Sequence, residues 1–286
     1  MVNAIFLVNK EVGPTSRDIV NVLNKTLGTK KLGHAGSLDP FASGLLIIGM
    51  NQGLKLVPYI ESLPKTYIAS LKLGIKTSTG DSEGEILEKA NIPSLKKEQV
   101  EKVLQSFLGD VEQIPPMYSA LKHDGVPLYQ YARKGVEIER KPRIVQIFDI
   151  KLLSLDIDNI IFLVECSKGT YVRTLGEDIA RKLGTIGYLE HLMRTKIGEF
   201  NVKDAKSVGD ISLKDAIRIE DATYFIPSIT VKGDEEKKVK NGMKMHFRCN
   251  FKQVRILSSV TGELIAIYEL GSDGVYYSKR GFYESN

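Results

Sequence analysis

Residues 66–73 alternate strictly: Tyr67, Ala69, Leu71 and Leu73 fall on one side, Thr66, Ile68, Ser70 and Lys72 on the other. A period of two predicts a strand with one face buried. Residues 3–8 and the run Leu45-Leu46-Ile47-Ile48 also read as strands, the second short, β-branched and buried. Elsewhere the period lengthens. Ile19, Leu23 and Leu27 recur every four residues behind a Thr15/Asp18 start, which predicts a helix over 15–27. Val100, Val103, Leu104, Phe107 and Leu108 form one helical face, stopped by Gly109. Val172, Leu175, Ile179 and Leu183 do the same over 170–183, stopped by Gly184. Between them, 144–155 and 160–166 are apolar and β-branched around the polar turn Asp156-Ile157-Asp158-Asn159, the pattern of a hairpin. Strands and helices mix without a regular βαβ rhythm. The expected fold is α+β, with helices flanking a mixed, largely antiparallel sheet.

The pattern changes near Ser228. Val254–Leu257, Leu264–Leu270 and Val275–Tyr277 are short strand-like runs, separated by Thr261-Gly262-Glu263 and by Gly271-Ser272-Asp273-Gly274. Two domains are expected, 1–227 and a small β module over 228–286.

Composition narrows the class. The 286 residues are 42% hydrophobic and 26% charged, ordinary for a globular chain. No apolar run approaches the roughly 20 residues of a membrane span, and no basic segment precedes the apolar Ala4–Val8 as a secretory signal requires. Two cysteines, Cys166 and Cys249, cannot build a disulfide framework. A cytoplasmic protein without a membrane partner is expected. The net charge of +5 is mildly basic. It points to nucleic acid only if clustered, and Lys30-Lys31, Arg140-Lys141-Pro142-Arg143 and Lys237-Lys238-Val239-Lys240 are the candidate clusters. Each reads equally as a solvated face.

The richest chemistry lies in Gly33-His34-Ala35-Gly36-Ser37-Leu38-Asp39-Pro40-Phe41-Ala42-Ser43-Gly44. One acid stands in a small-residue loop that feeds the strand at Leu45. Pro40 biases Asp39 away from helix, and the glycines allow close approach to a ligand. The same residues would also make an ordinary turn. The spacing matches neither phosphate-binding glycine motif. The four histidines, His34, His123, His191 and His246, are scattered, and no metal-ligand spacing occurs. Alternation alone favours a core aromatic for Tyr67 over a pocket residue.

This segment resembles the active-site motif of the TruB-type tRNA pseudouridine synthases. Other stretches resemble the same family in its own order. They are Val8-Asn9-Lys10-Glu11-Val12-Gly13-Pro14-Thr15-Ser16, where Glu11 and Val12 depart from the usual pattern, and Lys65-Thr66-Tyr67. Thr77–Gly84, Gln113–Lys122 and Cys166–Leu175 follow. The resemblance implies a pseudouridine synthase fold with a C-terminal, β-barrel-like PUA-type RNA-binding domain. It implies isomerisation of uridine 55 in the tRNA T-loop by base flipping, with a role in tRNA folding besides. Asp39 is then the catalytic residue, Arg173 its ion-pair partner, and Tyr67 the group that stacks on the uracil and helps move a proton. His34, Lys10, Asp81, Tyr171 and Leu192 would bind substrate: His34 fills the place of the flipped base, Lys10 touches the active-site loop or a phosphate, and Asp81 reads a neighbouring base. No cofactor, metal or protein partner is implied, and the protein is expected to be a monomer whose partner is the T-arm stem-loop. Two other classes remain to be weighed. A non-catalytic RNA-binding protein would have no need of Asp39 and Tyr67. A glycosidase-like hydrolase needs two carboxylates, whereas the motifs supply one convincing acid.

Overall fold

The computed structural model describes residues 2–283; Met1 and 284–286, the outer ends of the two expected domains, lie outside the described residues. The main sheet is built from β1 (Ala4–Lys10), β2 (Leu32–Ala35), β3 (Ala42–Met50), β4 (Lys65–Leu73), β5 (Gly109–Gln113), β6 (Arg143–Leu155), β7 (Asn159–Cys166) and β8 (Gly187–Ile197). Its order is β1-β3-β8-β4-β7-β6-β5, with β2 added to β3 and short pieces at the β1 edge. Within this order only β3 and β8 run parallel; every other pair is antiparallel. The expected α+β class is therefore the observed one.

Helix α1 (Ser16–Thr26) begins at Thr15, whose side chain accepts from the Asp18 amide while Asp18 returns the bond. This capping box is the start read from the sequence. Ile19, Val20 and Leu23 pack on β1 and β3 with Phe6, Leu46 and Ile48. α2 (Val57–Ser62) leads into β4, and α3 (Lys97–Gln105) starts three residues earlier than its apolar face suggested. α4 (Val172–Lys182) covers the tyrosine-bearing face of β4 through Leu175 and Ile179. It also starts later than expected. Gln113 on β5 donates to the Tyr171 carbonyl at 3.0 Å and accepts from its amide at 2.8 Å. Tyr171 is thus held extended, and the helix begins after it.

A second sheet has the order β9 (Ser228–Val231), β10 (Gln253–Ser258), β11 (Leu264–Leu270) and β12 (Tyr276–Gly281), with β9 and β10 parallel. Between β9 and β10 lies α5 (Gly233–Lys240), a helix that the strand-like reading of this region lacked. Its first turn is acidic and its last basic, the arrangement the helix dipole favours. Lys240 pairs with Glu236 at 2.8 Å and Lys237 with Asp234 at 3.3 Å. Two of the three lysines of the expected basic cluster are thus answered within their own helix. The second sheet is not free of the first. Leu264, Ile267 and Phe282 share a buried cluster with Ile5, Leu7 and Ile60, and Lys55 donates to the Gly281 carbonyl at 2.6 Å.

Candidate active site

The Asp39 loop is fastened residue by residue. Gly36 donates its amide to Glu61 at 3.0 Å. Ser16 Oγ both donates to the Leu38 carbonyl and accepts from its amide, at 3.1 and 2.8 Å. The Gly13 amide donates to the Pro40 carbonyl at 2.8 Å. Lys10 donates to the carbonyls of Ala42 at 2.7 Å and Glu11 at 2.9 Å. An exposed turn would need no such anchoring; this one is held as a functional loop on a rigid scaffold is.

Asp39 is left facing a cavity of about 530 Å³ beside the central strands β4 and β8 of the main sheet. Tyr67, Tyr171, Arg173 and Leu192 line the same cavity. Residues from four separate stretches of the chain therefore meet at one cavity. Arg173 is no surface arginine: 4% of its side chain is exposed. Its Nε lies 3.0 Å from Asp39 Oδ2, and Nη1 lies 3.3 Å from Asp81 Oδ2. The remaining contacts go to the carbonyls of Thr79 at 2.8 Å and Tyr118 at 2.7 Å. An always-charged, planar donor set suits this many-sided grip.

Three expected substrate contacts have other surroundings. Lys10 is fully enclosed, and its ammonium ends on loop carbonyls, so it meets the loop and not a phosphate. Burial lowers its pKa to about 8, against the opposing pull of Asp39. Asp81 is turned inward. Its side chain is 5% exposed, pairs with Arg173, and accepts from Thr79 Oγ1 and the Glu83 amide. His34 lies on β2, opposite Ile48, rather than in the loop, because β3 offered its edge for pairing. It stands outside the cavity wall and is half-buried, with Nδ1 unpartnered and its pKa lowered by burial.

Burial also pushes the Asp39 carboxyl above the ordinary aspartate range; Arg173 pulls it back, and Asp81 adds to the push. The side chain itself is 42% exposed, but into the cavity, where surrounding protein displaces most bulk water. Burial likewise raises the Tyr67 phenol, opposed by the charge of Arg194.

The motif reading found one convincing catalytic acid; the structure brings two more carboxylates to the site. Asp81 shares Arg173, and Glu61 lines the cavity. Both are engaged, since Glu61 accepts from Gly36 and faces Lys168 at 3.7 Å. Asp39 is the carboxylate left open toward a ligand. Sequence reasoning missed Arg194, and it carried Lys65 and Gln113 only as members of quoted motifs, without a role for either. The available signal at Arg194 was a charged residue at an inward strand position.

A family profile described as TruB family pseudouridylate synthase (N terminal domain) matches residues 24–172. The chain is 46% identical over 216 residues to the tRNA pseudouridine synthase B of Hydrogenovibrio crunogenus, covering 75% of this chain and 71% of that one. It is 32% identical over 289 residues to the protein of the same name from Dehalococcoides mccartyi, covering 98% and 96%. Among solved structures, a chain of an H/ACA RNP bound to a substrate RNA containing 2′-deoxyuridine superposes with a TM-score of 0.74. The identity is 20%, with 98% of this chain and 85% of that chain covered. A chain of a Cbf5-Nop10-Gar1 complex gives 0.71 at 22% identity, covering 93% and 78%. These two show the same fold.

Proposed function

Because this chain belongs to the TruB family of pseudouridylate synthases, we propose that it converts uridine 55 in the T-loop of tRNA to pseudouridine, with Asp39 as the catalytic group. At the coarser level, it is an isomerase that makes pseudouridine in tRNA, and it binds RNA. The observation that carries the finer reading is the Asp39–Arg173 pair opening into a cavity walled by Tyr67 and Leu192.

The reaction breaks the C1′–N1 bond, turns the uracil and joins C1′ to C5. The C5 proton is lost and N1 gains one, so the formula is unchanged. A carboxylate beside the sugar supplies the covalent or basic step. Arg173 aims it and favours its charged form. Tyr67 stacks on the detached base, Leu192 and Tyr171 confine it, and the enclosed wall keeps water from the sugar. A stacked T-loop uridine must first be extruded, at a cost of a few kcal/mol. His34, neutral because burial lowers its pKa, fills the vacated stack. Lys10 and Asp81 act through the loop and Arg173, not on the RNA.

In this reading residues 1–227 hold the chemistry, and 228–286 form a PUA-type module that holds the RNA. The protein acts as a cytoplasmic monomer on the T-arm and helps tRNA to fold. The mild basic excess of residues 228–286, with 10 Lys and Arg against 7 Asp and Glu, supports the assignment of the module.

The test is to incubate a tRNA transcript and its isolated T-arm with the protein, map modified uridines, and assay free uracil. One modified T-loop uridine and no uracil are expected. Modification elsewhere would sink the site assignment, and released uracil would favour a hydrolase. On the same RNAs, His34→Ala should lose more rate with a folded T-loop than with an unstacked target; equal losses would remove the wedge. The pH profile follows from the Asp39 shift. The ionised form is the active one, and its pKa is raised. The single-turnover rate should therefore fall with decreasing pH while still above the ordinary aspartate range. A rate flat down to about pH 4 would contradict this.

A further inference from the structure

Resting on that reading, we propose that Arg194 is a positioning residue for the reaction, holding the Asp39 loop and the Tyr67 strand in the one relation that brings both side chains to the cavity. Arg194 is the largest fully buried side chain among the described residues, 1% exposed, and lies on β8 between the two strands concerned. Its register partners are Tyr67 on β4 and Gly44 on β3. The β8–β4 register slips immediately after it. Such irregularities re-aim a side chain beside an active site.

The guanidinium spends its donors on backbone. Nε donates to the Leu45 carbonyl at 2.8 Å, Nη2 to Gly36 at 3.1 Å and Nη1 to Ser37 at 3.3 Å. Leu45 follows the loop and Gly36-Ser37 precede Asp39, so one planar fork spans the loop from both ends. Lys10 grips the remaining shoulder at Ala42. A lysine at 194 would present a point charge and could not hold the divided set of carbonyls. The close approach has also shaped the motif. Gly44 has φ +102°, and a Cβ there would fall 2.3 Å from the Arg194 carbonyl oxygen. The last glycine of the Asp39 segment is thus required by the strand that carries Arg194. The same guanidinium lies against Tyr67, where its charge opposes the effect of burial on the phenol. A residue that merely filled the core would need neither the fork nor the contact with both catalytic segments.

The experiment compares Arg194→Lys and Arg194→Met with the wild type in three measurements: kcat and tRNA Kd, and amide exchange along the chain. We expect kcat to fall about 100-fold in Arg194→Met and about tenfold in Arg194→Lys, as misplaced catalytic groups do. Kd should stay within about threefold of wild type. Exchange should quicken in residues 36–45 while α1 and the second sheet stay protected. Either folded variant turning over like wild type would overturn the proposal. So would loss of protection throughout the sheet in both, which marks an ordinary core residue. If Arg194→Met does not fold, Arg194→Lys decides alone. Wild-type protein inactive on tRNA would instead refute the functional reading, since loop exchange is read without turnover.

Discussion

Asp39→Asn should abolish pseudouridine formation, lowering the single-turnover rate by on the order of 10⁴-fold, while tRNA binding stays within about threefold. The amide is nearly isosteric and can still accept from Arg173 Nε, 3.0 Å from the present carboxylate oxygen. The loop should not move, because its anchors are Ser16, Lys10, Glu61, Arg194 and the Gly13 amide rather than the Asp39 side chain. What disappears is charge and nucleophilicity at the open end of the cavity. Activity within tenfold of wild type would exclude Asp39 as the catalytic group. The cavity would then have to work through Glu61, whose carboxylate is tied to Gly36 and Lys168.

Arg173→Met should injure both stability and rate. It leaves Asp81 buried beside Asp39 without the guanidinium that serves both. Removing one partner of a buried ion pair costs about 3–5 kcal/mol. The carbonyls of Thr79 and Tyr118 lose their donor as well. The rate should drop by about 10²-fold or more, since Asp39 is no longer aimed or kept ionised. The sign with pH separates the two effects. An unpaired buried carboxylate has its pKa raised by folding. Its penalty is therefore full at neutral pH and fades as pH falls through that pKa. A double variant, Arg173→Met with Asp81→Asn, removes one stranded charge and should regain part of the stability but none of the rate. Denaturant midpoints and single-turnover rates measure the two separately. Recovery of both would mean that Arg173 is only a structural counter-ion to Asp81.

The strands at 4–10 and 65–73, the capped helix after Thr15 and the long hairpin of β6 and β7 were legible because each is specified by its own period and punctuation. Asp39, Tyr67, Tyr171, Arg173 and Leu192 were legible as a set through motif resemblance. Local chemistry alone left Asp39 in an ordinary turn and Tyr67 in an ordinary core. Tertiary structure decided the rest, and the reason is the same each time. Hydrogen-bond donors and charges are satisfied by groups far away in sequence. Gln113 holds Tyr171 out of the helix its sequence favours. The edge of β3 turns the His34 segment from loop into strand. Arg173 gathers Asp39 and Asp81 from different loops, so an apparent base-reading acid becomes half of a buried ion pair. Lys10 and Arg194 are charged residues in positions where patterning asks for apolar ones. Burial is costly for them unless carbonyls receive their protons, and only the folded loop around Asp39 supplies those carbonyls. The sequence by itself determined the elements that carry their own period and punctuation, and which residue types are present for chemistry. Which of those groups face the cavity, and which are enclosed to hold others in place, was decided by long-range pairing of donors with acceptors, which no local pattern encodes.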